Sequence, residues 1–160
     1  MDHLEKHRQL LSATLENVIR RQVSCVADYL KAPKLVYYLV DPNLKKASEF
    51  FLEKYQAKNA LEIDDFTHID QYDVLFCISY NGTAQEIVDK AQQFKEQSTK
   101  ITCITNNLNS ALASLSQDTL GLSMPKREEI NPDIYQEVFK QAVRTVLEDM
   151  DKKIEMSNRQ

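Results

Sequence analysis

Apolar residues near the start of the chain return at helical intervals. Leu11, Leu15, Val18, Ile19, Val26, Tyr29 and Leu30 share one face, with polar residues between them. Residues 1–31 therefore read as an amphipathic helical segment, with a break expected near Arg20 and Arg21 and an end at Pro33. Five short apolar runs follow, at 34–40, 60–63, 74–79, 101–105 and 119–123, and each reads as a strand. Helix-like stretches at 44–55, 84–95 and 110–115 separate them. Strands that are nearly continuously apolar are buried on both faces, and strand–helix alternation implies a parallel sheet. Asn131 and Pro132 supply an N-cap and a first-turn proline. After them Tyr135, Val138, Phe139, Ala142, Val143, Val146, Leu147 and Met150 keep helical spacing, so a closing helix is expected over 132–155.

Length and composition add bounds to that pattern. A chain of 160 residues suits one layered core, so 1–160 is read as a single domain. The composition, 42% hydrophobic and 28% charged, is that of a globular protein rather than a disordered one. The longest apolar run, near 74–78, falls far short of the roughly 20 residues that cross a bilayer. The first residues are too charged for a signal peptide. A soluble, cytoplasmic protein without membrane contact is expected. Cys25, Cys77 and Cys103 are odd in number, widely spaced and set within apolar patterns, which suits reduced thiols in a core. A net charge of −4 argues against direct nucleic-acid binding by this chain alone. The apolar stripes on the terminal helices exceed what one sheet covers, so a homodimer is expected.

Ligands of parallel α/β sheets settle beyond the carboxyl ends of the strands, where helix N-termini present N–H groups to anions. The informative segment there is 73–87, DVLFCISYNGTAQEI, a buried strand, a hydroxyl–glycine turn and a helix. It resembles the signature loop of the sugar isomerase (SIS) family, in which serines, a threonine and backbone amides hold a sugar's phosphate. Ser79, Gly82 and the Glu86–Ile87 pair match that loop. The stretch 100–118, KITCITNNLNSALASLSQD, looks like the family's next unit. Residues 20–39 look like the opening of the effector domain of RpiR/MurR-like regulators.

The resemblance implies a three-layer α/β/α sandwich with a five-stranded parallel sheet of flavodoxin-like order. It implies a sugar phosphate or related carbohydrate derivative as ligand, no cofactor and no metal. The implied ligand-binding residues are Ser79, Tyr80, Asn81, Gly82, Thr83, Thr105 and Asn106. A plainer alternative stays open for Ser79, Asn81 and Thr83, whose types also suit turns and N-caps. The implied role is effector sensing in a bacterial transcriptional regulator, with ligand binding coupled to dimer geometry. The helix-turn-helix module such regulators carry has no counterpart in this sequence. A phosphosugar isomerase and a ligand-free dimerisation module are the alternatives.

Departures from the family pattern weaken the phosphate cradle. Where family members turn through glycine and serine after the first strand, this chain has Val40-Asp41-Pro42-Asn43. Pro42 removes an amide donor and Asp41 places a negative charge beside the expected phosphate. Asn81 stands for the second serine and Ala84 for the threonine, with Thr83 offering a neighbouring hydroxyl. Two charge-assisted hydrogen bonds lost at roughly 1.5–3 kcal/mol each would weaken phosphosugar binding by one to several orders of magnitude. Isomerisation needs an acid–base group near C1 and C2 of the sugar. His3, His7 and His68 lie away from the loops in sequence, Glu86 suits a helix first turn, and Glu128 and Glu129 sit in a charged connection. No enzyme is expected.

Overall fold

A computed structural model describes residues 2–126 and 130–158. Helix α1 (His3–Glu16) opens at Asp2, whose carboxylate accepts the Glu5 N–H at 2.8 Å. Helix α2 (Arg20–Asp28) follows. The break between them falls at 17–19, so Arg20 and Arg21 open α2 rather than interrupt a helix. Asn17 closes α1 through its N–H to the Ala13 carbonyl, and the extended Ile19 then redirects the chain.

Five strands form one parallel sheet in the order β2-β1-β3-β4-β5: β1 (Val36–Val40), β2 (Lys58–Asn59), β3 (Val74–Ile78), β4 (Lys100–Thr105) and β5 (Asp118–Gly121). Between and after them lie α3 (Lys45–Lys54), α4 (Gln85–Glu96), α5 (Ala111–Leu115) and α6 (Pro132–Asn158). Two edge strands differ from expectation. The run at 60–63 is a 3₁₀ turn at Ala60–Glu62, because the Asn59 side chain accepts the Leu61 N–H and ends the ladder at Asn59. The last strand begins at Asp118, whose carboxylate accepts the Tyr29 hydroxyl at 2.6 Å, so a polar residue sits at the sheet edge with its charge satisfied by α2's C-cap. Burial and that carboxylate push the Tyr29 phenol up to about 12.

Alternation along the strands divides the core into two layers. Val74, Phe76 and Ile78 pack with α2, α3 and α6, while Leu75 and Cys77 pack with α4 and α5. The three cysteines are free, and burial pushes the Cys77 and Cys103 thiols up, as suits inert core groups. Asn131 accepts the Asp133 N–H at 2.9 Å and starts α6, which runs three residues beyond its expected end. Lys54 at the end of α3 and Tyr55, its C-cap, both reach Asp151 of α6, at 2.8 and 2.6 Å, and join the two helices on one face of the sheet. Among the described residues no helix is long and apolar enough to cross a membrane.

Candidate functional site

With this strand order the chain reverses direction across the sheet between β1 and β3, so a crevice opens where their carboxyl ends diverge. Both ends are built by local hydrogen bonding. The Asp41 N–H extends the ladder to the Ile78 carbonyl at 3.0 Å, and Pro42 then turns the chain into a 3₁₀ turn before α3. On the other side, fully buried Ser79 ends β3. Its hydroxyl accepts the Gly82 N–H at 3.1 Å and donates to Asp41 Oδ2 at 3.1 Å. The Tyr80 N–H donates to that same carboxylate oxygen at 2.8 Å.

Gly82 is buried in the left-handed region, at φ +69°, and a Cβ there would sit 2.3 Å from Ser110 Oγ. Only glycine lets this turn press against the cap of α5. The Gly82 carbonyl accepts the Leu112 N–H at 3.2 Å, which locks the loop onto α5. Asn81 and Thr83 are exposed at the crown, where Asn81 Oδ1 accepts from the Thr83 hydroxyl at 2.9 Å and its N–H at 3.3 Å. The N-cap of α4 is Ala84, without a side-chain hydrogen bond.

Thr105, at the end of β4, is fully buried and donates its hydroxyl to the Tyr80 carbonyl at 3.1 Å, and the Asn106 N–H reaches that carbonyl at 3.0 Å. The seven expected ligand residues thus lie together but at different depths. Ser79, Gly82 and Thr105 form a buried frame, Asn81 and Thr83 form the crown, and Tyr80 and Asn106 turn toward a cavity.

That cavity measures about 410 Å³ and lies between the β3 and β4 ends and the first turn of α6. Met124, Lys126, Ile130, Pro132 and Tyr135 complete its described lining. The Tyr80 ring stands edge-on to Phe139, with centroids 5.1 Å apart at 87°. Burial pushes its phenol up, opposed by a hydrogen bond with Asn106. The Tyr135 hydroxyl reaches the Pro125 carbonyl at 3.4 Å. Sequence reasoning missed these α6 and post-β5 residues. Tyr135 was absorbed into a helical stripe, and its place at the helix start, one turn after Pro132, was the available signal.

Histidines lie elsewhere. His3 and His7 face a groove with Gln141 of α6, and His68 is exposed in the connection before β3. Glu86 is exposed in the first turn of α4, while Glu128 and Glu129 lie outside the described residues. Among the described residues no three His, Cys, Asp or Glu side chains are grouped to hold a metal.

The SIS domain family matches residues 51–146. Among curated proteins none matches the chain in sequence. The fold superposes on NanR of Vibrio vulnificus, solved with ManNAc-6P, with a TM-score of 0.72 at 13% identity over 96% of this chain and 61% of that one. It also superposes on the sugar isomerase domain of an RpiR transcription factor from Sphaerobacter thermophilus, at TM-score 0.63 and 11% identity over 98% and 96%. A phosphoheptose isomerase from Francisella tularensis gives 0.64 and 15% over 95% and 100%. At these identities the likeness is one of fold, shared by regulators and enzymes. With more than half of its length matched, the chain belongs to the SIS domain family.

Proposed function

We propose that this chain is the effector-sensing domain of a bacterial transcriptional regulator, binding a sugar phosphate or related carbohydrate derivative in the cavity beside Tyr80 and Asn106. The observation that carries this reading is the cavity itself. A hydrogen-bonded loop frame presents an aromatic ring and an amide to about 410 Å³ of space, with Lys126 beside them. Aromatic faces suit the C–H face of a sugar ring, and the Asn106 amide both donates to and accepts from hydroxyls. The fold likeness to NanR and to the RpiR domain is consistent with a sensing role.

Ligand binding would be felt by a homodimer. Pro132 and Tyr135 stand in the first turn of α6, and α6 packs against α1, α2 and α3, so occupancy at one end biases a helix that crosses the whole layer. In this reading the protein is cytoplasmic, has no cofactor, and leaves DNA contact to another part of the regulator. The test is a thermal-shift screen of sugar phosphates, amino-sugar phosphates and cell-wall sugars, with isomerase turnover measured on every hit. Saturating ligand at a hundred times Kd stabilises by about 2.7 kcal/mol. A shift without turnover is expected. Sustained turnover would make the chain an isomerase, and silence across the screen would favour a dimerisation module.

A further inference from the structure

We propose that Asp41 is a built-in anion occupying the seat of a ligand phosphate, so that this loop selects against phosphorylated ligands and in favour of carbohydrate derivatives with no phosphate at that position. The carbohydrate class is taken from the function proposed above. The exclusion of phosphate from the Ser79–Tyr80 seat stands on the hydrogen bonds there and on the charge of Asp41.

A phosphate received at such a loop needs N–H and O–H donors pointing into the crevice. On the side of the loop that faces β1 they are already spent, while among the described residues the Asn81, Ala84, Gln85 and Glu86 N–H groups at the start of α4 have no hydrogen-bond partner. The Ser79 hydroxyl and the Tyr80 N–H converge on one oxygen, Asp41 Oδ2, at 3.1 and 2.8 Å. The Gly82 N–H is taken by Ser79 Oγ at 3.1 Å, and the Thr83 N–H by Asn81 Oδ1 at 3.3 Å. On the β1 side the Asp41 N–H goes to the Ile78 carbonyl, and Pro42 has no N–H to give. A carboxylate accepting two convergent donors mimics one edge of a bound phosphate. Among the described residues no lysine or arginine forms an ion pair with it, so a phosphate brought to Ser79 and Tyr80 meets a like charge.

Next to this filled seat the cavity remains open. Its Tyr80 and Tyr135 rings, Ile130 and Met124 offer apolar faces, Asn106 offers an amide, and Lys126 brings an ammonium to the rim. Such a lining can stack on a sugar ring and bond its hydroxyls.

The test follows the Tyr80 and Gly82 amides by ¹⁵N NMR while inorganic phosphate is titrated into the wild type, Asp41→Ala and Asp41→Asn. Asp41→Ala empties the seat, and its Kd for phosphate is expected to fall at least about tenfold below the wild type's. Asp41→Asn keeps an acceptor but removes the charge, so an intermediate gain is expected. It also decides the matter if Asp41→Ala loses its dispersed spectrum. A wild type that binds phosphate as tightly as the variants, or folded variants that remain indifferent to phosphate, would overturn the assignment. In parallel, a hexose and its 6-phosphate are compared on the wild type. Preference for the phosphorylated sugar at the Tyr80 amide would also overturn it. If the wild type takes neither sugar while Asp41→Ala gains phosphate, the role of Asp41 stands and the carbohydrate reading fails.

Discussion

Two aspartates stand at opposite ends of the β1–β3 pair, and they are handled differently. At the amino end, Asp73 precedes β3 and is fully buried. Its Oδ2 accepts the Asp70 N–H at 3.0 Å and lies 3.6 Å from the Lys34 ammonium, which also binds Asp70 at 2.9 Å. At the carboxyl end, Asp41 is half-buried and, among the described residues, its side chain is held by the neutral donors of Ser79 and Tyr80. The first arrangement sets one ammonium between two carboxylates, leaves the buried Asp73 Oδ1 without a hydrogen bond among the described residues, and ties a strand start to its neighbour. The second leaves a net negative charge at the crevice where this fold class receives ligands. Under the proposal one residue type serves stability at one end of the sheet and selectivity at the other, and the partner's charge makes the difference.

The sharpest break of that comparison comes from the frame that holds Asp41's donors. Gly82→Ala forces a side chain onto φ +69° and onto Ser110, and is expected to lower stability by about 2–4 kcal/mol, read from urea midpoints. A loss below about 1 kcal/mol would mean that the loop yields and its donors are not fixed. At the other end, Asp73→Ala removes a buried acceptor and is expected to cost about 1–3 kcal/mol in the same assay. It should leave phosphate binding by an Asp41→Ala background unchanged, and any change there would join the two ends.

Asn106→Ala is expected to weaken a bound carbohydrate by about tenfold in calorimetry while costing at most about 1 kcal/mol in unfolding, since the main-chain N–H contact to Tyr80 stays and the side-chain bond to the half-buried Tyr80 phenol goes. The smallest effect is one of pH. The Lys34 ammonium and then the Tyr72 N–H hold the Asp70 carboxyl below its ordinary 3.8. A depressed carboxylate contributes stability above its unfolded pKa and loses it as pH falls through the folded value. The wild type should therefore lose this increment below about pH 3.8, and Lys34→Ala should flatten that limb of the pH–stability curve.

The parallel sheet was legible because the central strands are apolar on both faces, as at Val74–Ile78, and because Asn131–Pro132 punctuates α6. Of the edge strands, β2 lies just before the expected run and β5 starts one residue early and stops two short, since their ends depend on side chains such as Asn59 and Asp118 that apolar patterning ignores. At the site, the sequence located the turn and marked Asp41 as out of place. It could not show that Asp41 reaches across to Ser79 and Tyr80, because that contact joins residues 38 and 39 positions apart. The cavity was invisible for the same reason. Tyr80 and Tyr135 meet only through the return of α6 over the β3 end.

The most direct measurement is a methyl NMR titration of the wild type with a hexose and an N-acetylhexosamine, watching Met124 and Ile130 of the cavity against Met156, which is exposed near the end of α6. Saturable shifts at Met124 and Ile130 with Met156 unmoved are predicted. Silent cavity methyls, or shifts centred on Met156, would contradict a ligand site at the carboxyl ends of β3 and β4.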